Sequence, residues 1–300
     1  MGFFEKRAKK AERNIDANQV NLAKVTSDKA VDVIKELSGS NTYSKKRVID
    51  NVIVFTNASG GTGASTIASN VAAMANQKKF KVLLIDFNIM CPIQHTYLNI
   101  RQDIDKPDLV TYLLGKNSLS ESIDSTRAVN LLFANNRTLS DEINCNNRIV
   151  MDNLDNMLRT ARQYYDLVII DCPMRIDNLL HNNVFYKCDS IYVVWDEGIG
   201  SIVNTEKIRR NMALSGIDSF TKMRVILNKR TSVHFSDYPL KKLNLELVET
   251  LPFDIDIIDN SLRGKIFCED GSSTSSNAIE FARKVDSLTD KILKIGGYVG

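Results

Sequence analysis

Residues 57–66 read Asn57-Ala58-Ser59-Gly60-Gly61-Thr62-Gly63-Ala64-Ser65-Thr66. The run before them, VIDNVIVFT (48–56), is almost wholly apolar and rich in β-branched residues, the pattern of a strand buried on both faces. The stretch after them, Ser65–Gln77, puts Ile67, Val71, Ala72 and Ala75 on one helical face. A strand, a glycine-rich turn and a helix start together make an anion cradle. Backbone N–H groups and the positive end of the helix dipole converge there on a phosphate. Gly60, Gly61 and Gly63 let the backbone curl closely around such a group. The general phosphate-loop pattern GxxxxGK(S/T) is broken twice, by Ala58 for Gly and Ala64 for Lys. Ser65 is kept where such loops ligate Mg²⁺, and Thr66 follows it.

Outward from this loop, apolar runs alternate with helical patterns. KVLLID (81–86), LLFA (131–134), DLVIID (166–171), SIYVVW (190–195), RVILN (224–228) and LELVETLP (245–252) read as strands. Helical stretches fall at about 147–163, 177–187, 202–215 and 277–294. The alternation predicts an α/β fold: a doubly wound, mostly parallel sheet with helices on both faces. The globular domain is expected over 47–300, after a basic extension and linker over 1–46 that contains a short helix at 27–39.

Composition narrows the function classes. Of 300 residues, 43 % are hydrophobic and 25 % charged, and no apolar run approaches the roughly 20 residues of a membrane span. No signal peptide is visible at the N-terminus. The five cysteines (Cys91, Cys145, Cys172, Cys188, Cys268) lack a CxxC pair and read as buried thiols of a cytoplasmic protein. Cys172 has no identifiable His partner, so a nucleophile role is not favoured. Trp195 reads as core. Residues 1–47 hold eleven Lys and Arg against six acids, whereas the remainder is slightly acidic. A nucleic-acid footprint is therefore not expected, and residues 1–15 are the candidate for membrane or pole contact.

At this point five motifs in order resemble the MinD/ParA ATPases, P-loop NTPases of the SIMIBI class, over about residues 50–290. The loop resembles their deviant Walker A, KGGxGK(S/T)T, with Ser59 in place of the signature lysine and Ala64 in place of the P-loop lysine. KVLLIDFNIMCP (81–92) is similar to LLIDxDxxxP, keeping Asp86 and Pro92 but carrying Asn88 for the second Asp. YDLVIIDCP (165–173) resembles Walker B. VILNK (225–229) resembles the adenine-contacting strand, and LPFDIDIID (251–259) the segment that closes over the base.

The resemblance implies ATP or ADP as ligand, held by Ser59, Gly60, Gly61, Thr62, Gly63, Ala64, Ser65, Thr66, Asn228, Pro252 and Asp254. It implies Mg²⁺ at Ser65, Asp171 (partly through water) and Asp86, with Asp86 also the weak candidate for a catalytic role. It implies a homodimer. Ser59, Ala64 and Asn88 each remove a charge used in hydrolysis, and phosphoryl transfer depends on such charges. The expected protein holds a nucleotide and turns it over slowly or not at all. GGTGAST most resembles the CpaE/TadZ branch, which implies a localisation or assembly scaffold for a Flp/Tad-type pilus or secretion machine. Two alternatives stand beside it. One is an active partition-type ATPase or a relative of capsule-type tyrosine kinases, echoed by 91–100 and 108–123. The other is an interaction module that binds no nucleotide.

Overall fold

In β1 (Val52–Asn57), Val52 and Val54 enter one hydrophobic layer while Ile53 and Phe55 enter the opposite one. This follows from the two-residue period of a strand, and it requires cover on both faces. The computed structural model describes residues 50–126, 128–135, 147–174, 178–231 and 236–298. The expected basic extension, its helix at 27–39 and its contact residues 1–15 lie outside the described residues, as does Cys145.

The remaining strands are β2 (Val82–Asp86), β3 (Ile123–Ser125), β4 (Asn130–Leu132), β5 (Leu167–Asp171), β6 (Ser190–Trp195), β7 (Met223–Arg230) and β8 (Glu246–Pro252). They form one sheet in the order β3-β4-β2-β5-β1-β6-β7-β8. Every pairing is parallel except β3 with β4. The doubly wound reading therefore holds.

The longer helices are α1 (Ala64–Gln77), α2 (Arg148–Tyr164), α3 (Leu179–Lys187), α4 (Ile199–Leu214), α5 (Tyr238–Leu243), α6 (Ile255–Leu262) and α7 (Ser276–Ile295). One layer is closed by α2 and α3, through Val150, Leu154, Met157, Val184 and Phe185. The other is closed by α1 and α7, through Ile67, Val71, Phe281, Val285 and Leu288. Helix α2 shows why the sequence encodes it: Val150, Leu154, Met157, Leu158 and Ala161 are buried at helical spacing, and Asn147 caps it by accepting from Ile149 N at 3.0 Å. No helix among the described residues is long and apolar enough to cross a membrane.

Two expectations need correction, and one strand was not anticipated. The third strand is Asn130–Leu132, not 131–134, because Phe133 leaves the ladder and its carbonyl accepts from Leu109 N at 3.0 Å. Its antiparallel partner β3 is three residues long, too short for an alternation to register. Cys91 is exposed, not buried, because the turn after β2 carries it to the surface; Cys172 and Cys188 are buried and Cys268 is intermediate. Trp195 is fully buried, and its Nε1 donates to Thr205 Oγ1 at 2.8 Å.

The connection from β1 runs toward β2, whereas the connection from β5 crosses β1 to reach β6, so the winding reverses between the adjacent strands β5 and β1. In open α/β sheets the crevice outside the carboxyl ends of the strands at such a reversal is where ligands bind. The loop 58–63 stands there.

Candidate functional site

The loop is built from a bend that only glycine accommodates. Gly61 and Gly63 have φ of +80° and +95°. A Cβ on Gly63 would stand 2.4 Å from Asn228 Nδ2. That amide donates to Thr62 O at 2.8 Å, so β7, two strands from β1 in the same sheet, braces the loop. Gly60 and Gly61 face open space, and both are exposed. Asn57 Nδ2 donates to Ser59 O at 3.1 Å, and Ser59 Oγ lies 3.3 Å from Ser201 Oγ at the start of α4.

Beyond Gly63 the helix α1 begins with no side-chain cap. Its first N–H groups have no intrahelical acceptor, so they remain directed at the crevice. Ala64, the first helical residue, is 5 % exposed and contributes only a methyl. A cation does reach the loop, from a place that strand alternation does not suggest. Lys229 Nζ donates to Gly61 O at 2.6 Å. Consecutive strand residues normally point to opposite faces, so Asn228 and Lys229 should diverge. Lys229 has φ +56°, and the register of β7 with β8 shifts between Leu227 and Arg230. That local turn brings both side chains to the loop.

Register places the two acids. Asp86 ends β2, Asp171 ends β5, and the two are directly paired across the ladder, with Phe55 of β1 paired on the other side of Asp171. Asp86 is fully buried and accepts three backbone N–H groups, from Asn88 (3.1 Å), Ile93 (2.7 Å) and Gln94 (2.9 Å). It thereby shapes the turn that follows β2. Asn88 points into that same turn, its Nδ2 donating to Cys91 O at 2.8 Å. Asp171 accepts from Gln94 Nε2 at 2.7 Å and from the Ser65 side chain. Gln94 also donates to Ser65 O at 3.0 Å, tying the loop, the turn and β5 together. Tyr97 adds a hydrogen bond with Thr66.

Burial pushes both carboxyls above the ordinary carboxylate range; Asp171 adds to the effect on Asp86, and the hydrogen bonds to each oppose it. Among the described residues, no basic side chain acts to lower either pKa. Two adjacent buried carboxylates beside a serine hydroxyl and an anion cradle are a donor set that suits Mg²⁺. This ion takes one or two carboxylates, phosphate oxygens and water. Asp171 and Ser65 would hold it, and it would neutralise phosphate charge there.

The pair has a consequence for the metal-free protein. Its acids hold protons more tightly folded than unfolded, so stability falls as pH rises from the unfolded carboxylate range through the raised folded values. Glu249 acts in another window. Burial would raise it, but hydrogen bonds from Lys291 and Lys284 outweigh this and hold it at about 2. Its contribution is present above the unfolded Glu value and is lost only as pH falls toward 2. Melting curves in chelator between about pH 5 and 8 should therefore show a downward slope that Asp171→Asn flattens. An unchanged slope in that variant would count against the buried pair as its source.

Pro252 ends the next strand out, β8, and Asp254 follows it at the start of α6. Pro252 pairs in register with Arg230, two residues beyond Asn228. Asp254 is engaged as the cap of α6, accepting from Asp256 N at 2.8 Å and from Ser275 Oγ. The structure thus gathers Ser59–Thr66, Asp86, Asp171 and Asn228 around one crevice. Gln94 and Lys229 join them, although sequence patterning offered no signal for either. Gln94 lies in a four-residue helical turn, and Lys229 depends on a strand irregularity.

Comparison with known proteins agrees with this fold. Residues 50–235 match the profile of a family described as AAA domain. The septum site-determining protein MinD of Thermotoga maritima is 25 % identical over 243 residues, covering 78 % of this chain and 88 % of that protein. The tyrosine-protein kinase etk of Escherichia coli K12 is 24 % identical over 180 residues, covering 57 % of this chain. That match spans only 24 % of the kinase's length. Among solved structures, Pyrococcus furiosus MinD superposes with a TM-score of 0.66 at 19 % identity, covering 82 % of this chain and 100 % of that one. MinD from Pyrococcus horikoshii, solved with Mg-ADP, gives 0.64 at 19 %, covering 83 % and 98 %. The fold is MinD-like.

Proposed function

The chain belongs to the AAA domain family, and from that premise we propose that it binds ATP with Mg²⁺ and hydrolyses it slowly or not at all. The observation that carries this reading is the combination at one helix start. The glycine-wound cradle and uncapped N–H groups of α1 are intact, while its first residue is Ala64. Lys229 does not replace the missing lysine in kind, because its ammonium comes from β7 and bonds the Gly61 carbonyl instead of rising from the first residue of α1. In this reading Asp171 and Ser65 hold Mg²⁺, Asp86 shapes the turn beside it, and Asn228 braces the loop while facing the base. Pro252 at the end of β8 and Asp254 at the start of α6 border the base. The Mg-ADP of Pyrococcus horikoshii MinD and the AMPPNP of a Borrelia burgdorferi plasmid partition protein give precedent for this ligand class on related folds.

Such a protein acts by holding the nucleotide-bound form. The role proposed is a dimeric localisation or assembly scaffold for a pilus of the Flp/Tad type or a secretion machine. Its support is the resemblance of GGTGAST to the CpaE/TadZ loop. Calorimetric titration should show saturable binding of Mg-ATP, with phosphate release indistinguishable from background over hours. Absence of binding heat would sink the nucleotide reading; turnover within minutes would sink the slow one.

A second reading is favoured by the tyrosine-kinase relatives, which also include CpsD of Streptococcus pneumoniae, 26 % identical over 168 residues. Those are the whole proteins' names, and only part of etk is matched. Tyr298 does not present itself as a free acceptor: its ring packs edge-on to Phe80 at 4.6 Å, and its hydroxyl bonds to Asp166 Oδ1 at 3.3 Å. Radiolabel transfer from ATP to tyrosine on the chain would establish this reading over the first.

A further inference from the structure

A second cavity, of about 530 Å³, lies at the other end of the sheet from the loop. Helix α4 links the two places. Its Ser201 touches Ser59, and its sixteen residues, about 24 Å of helix, run back to Leu214. There Arg209, Leu214, Phe220 and Leu243 line the cavity. Arg209 is 8 % exposed. Its Nη1 donates to Leu243 O, and its guanidinium carbon lies 4.4 Å from the Phe220 ring centre. Nε and Nη2 are buried with no hydrogen-bond partner among the described residues. The nearby acid Glu206 is turned to Arg210, at 3.5 Å. A guanidinium has five donors and cannot shed its charge in ordinary conditions, so burying it with two donors idle is costly. Desolvation accordingly pulls its pKa down.

The rim is apolar and open. Leu214 is 83 % exposed and Phe220 is 66 % exposed, so the ring over the guanidinium is a cover held from few sides. Arg210 and Lys242 add two further positive charges to the lining, against the one acid Glu206. A buried arginine ringed by an aromatic and a leucine has the composition of an interface hot spot. A small diffusible anion would answer the charge but leave Leu214 and Phe220 in water.

We propose that this cavity docks a segment of a partner protein that presents an Asp or Glu side chain beside a leucine or aromatic residue. Docking displaces the exposed Phe220 ring that covers the guanidinium; the carboxylate then takes the idle Nε and Nη2 of Arg209 in a bidentate pair, and the apolar neighbour packs on Leu214 and the displaced ring. The assignment is independent of the nucleotide reading, since the cavity shares no residue with the loop.

The test uses the full chain and a panel of fluorescein-labelled hexapeptides, Glu or Asp flanked by Leu, Ile or Phe, each with its Gln or Asn counterpart. Anisotropy at low salt should show acidic members binding at least about tenfold tighter than their amides, the effect of one charge-assisted pair. Arg209→Met should erase that difference. Leu214→Ser, at a surface position that leaves the core intact, should weaken the acidic peptides several-fold. The proposal is overturned if acid and amide bind alike, if their difference survives in Arg209→Met, or if no peptide binds up to about 1 mM. It is equally overturned if acetate or phosphate alone binds as tightly as the peptides, which would make this a small-anion site.

Discussion

Restoring a cation to the loop, by Ala64→Lys, is expected to raise ATP hydrolysis by at least about a hundredfold. Phosphoryl transfer leaves little covalent work to the protein; rate comes from positioning and from positive charge on the transferring group, and a single well-placed cation is worth about 10³–10⁵. Ala64 is the first residue of α1, so a side chain there starts at the anion cradle itself. In the proposed reading the phosphates meet backbone N–H groups, while the Lys229 ammonium is engaged with Gly61 O. The figure of a hundredfold is below the full worth of a cation because Ser59 and Asn88 remain unrestored. ATP affinity should change less, by about ten- to a hundredfold, the scale of one charge-assisted contact. Steady-state phosphate release decides the matter, with Ala64→Lys/Asp171→Ala as the control that should return to background. If the single variant bound ATP yet hydrolysed it no faster than the wild type, the alanine would not be what limits turnover.

Gly63→Ala should have the largest effect on binding. The residue stands at φ +95°, where an L-side chain costs about 1–2 kcal/mol. Its Cβ would lie 2.4 Å from Asn228 Nδ2, so that amide must move, and its bond to Thr62 O, worth about 1 kcal/mol, goes with it. Together these give about 2–3 kcal/mol of lost stability, and a loop no longer braced by β7. ATP affinity is expected to fall at least about tenfold, because the N–H groups that converge on the phosphates are set by this bend. Calorimetry and thermal unfolding of the same preparation separate the two losses. Gly60→Ala is the contrasting case: nothing lies within 4 Å of its Cβ and its φ is ordinary, so its stability should stay near wild type. Equal destabilisation by the two alanines would rule out the bend at Gly63 as the cause.

The sequence was legible wherever a periodicity ran long enough. Apolar runs such as VIVFTN and LVIID must be covered on both faces, which leaves few options other than a parallel sheet between helix layers. The loop was legible because strand, glycines and helix start are contiguous in the chain. What failed to show was short or irregular. The three-residue β3, the six-residue α5 and the helical turn carrying Gln94 are each below the length at which a pattern rises above chance. Cys91 was misread because burial of a thiol in a turn depends on where the turn is carried, which composition does not encode.

The sequence by itself determined the architecture, the glycine-rich loop and the uncharged side chains at Ser59, Ala64 and Asn88, because these depend on residue type and local order. Only the tertiary structure decided that Asp86 and Asp171, far apart in the chain, stand paired on adjacent strands in a buried place where neither meets a basic partner. It also decided that Gln94 bridges Asp171 to Ser65, that Lys229 turns back onto Gly61, and that Arg209 is buried with two donors idle. The reason is common to all of them. Register, strand irregularity and desolvation are properties of elements packed together, and they set charge and geometry only once the chain has folded.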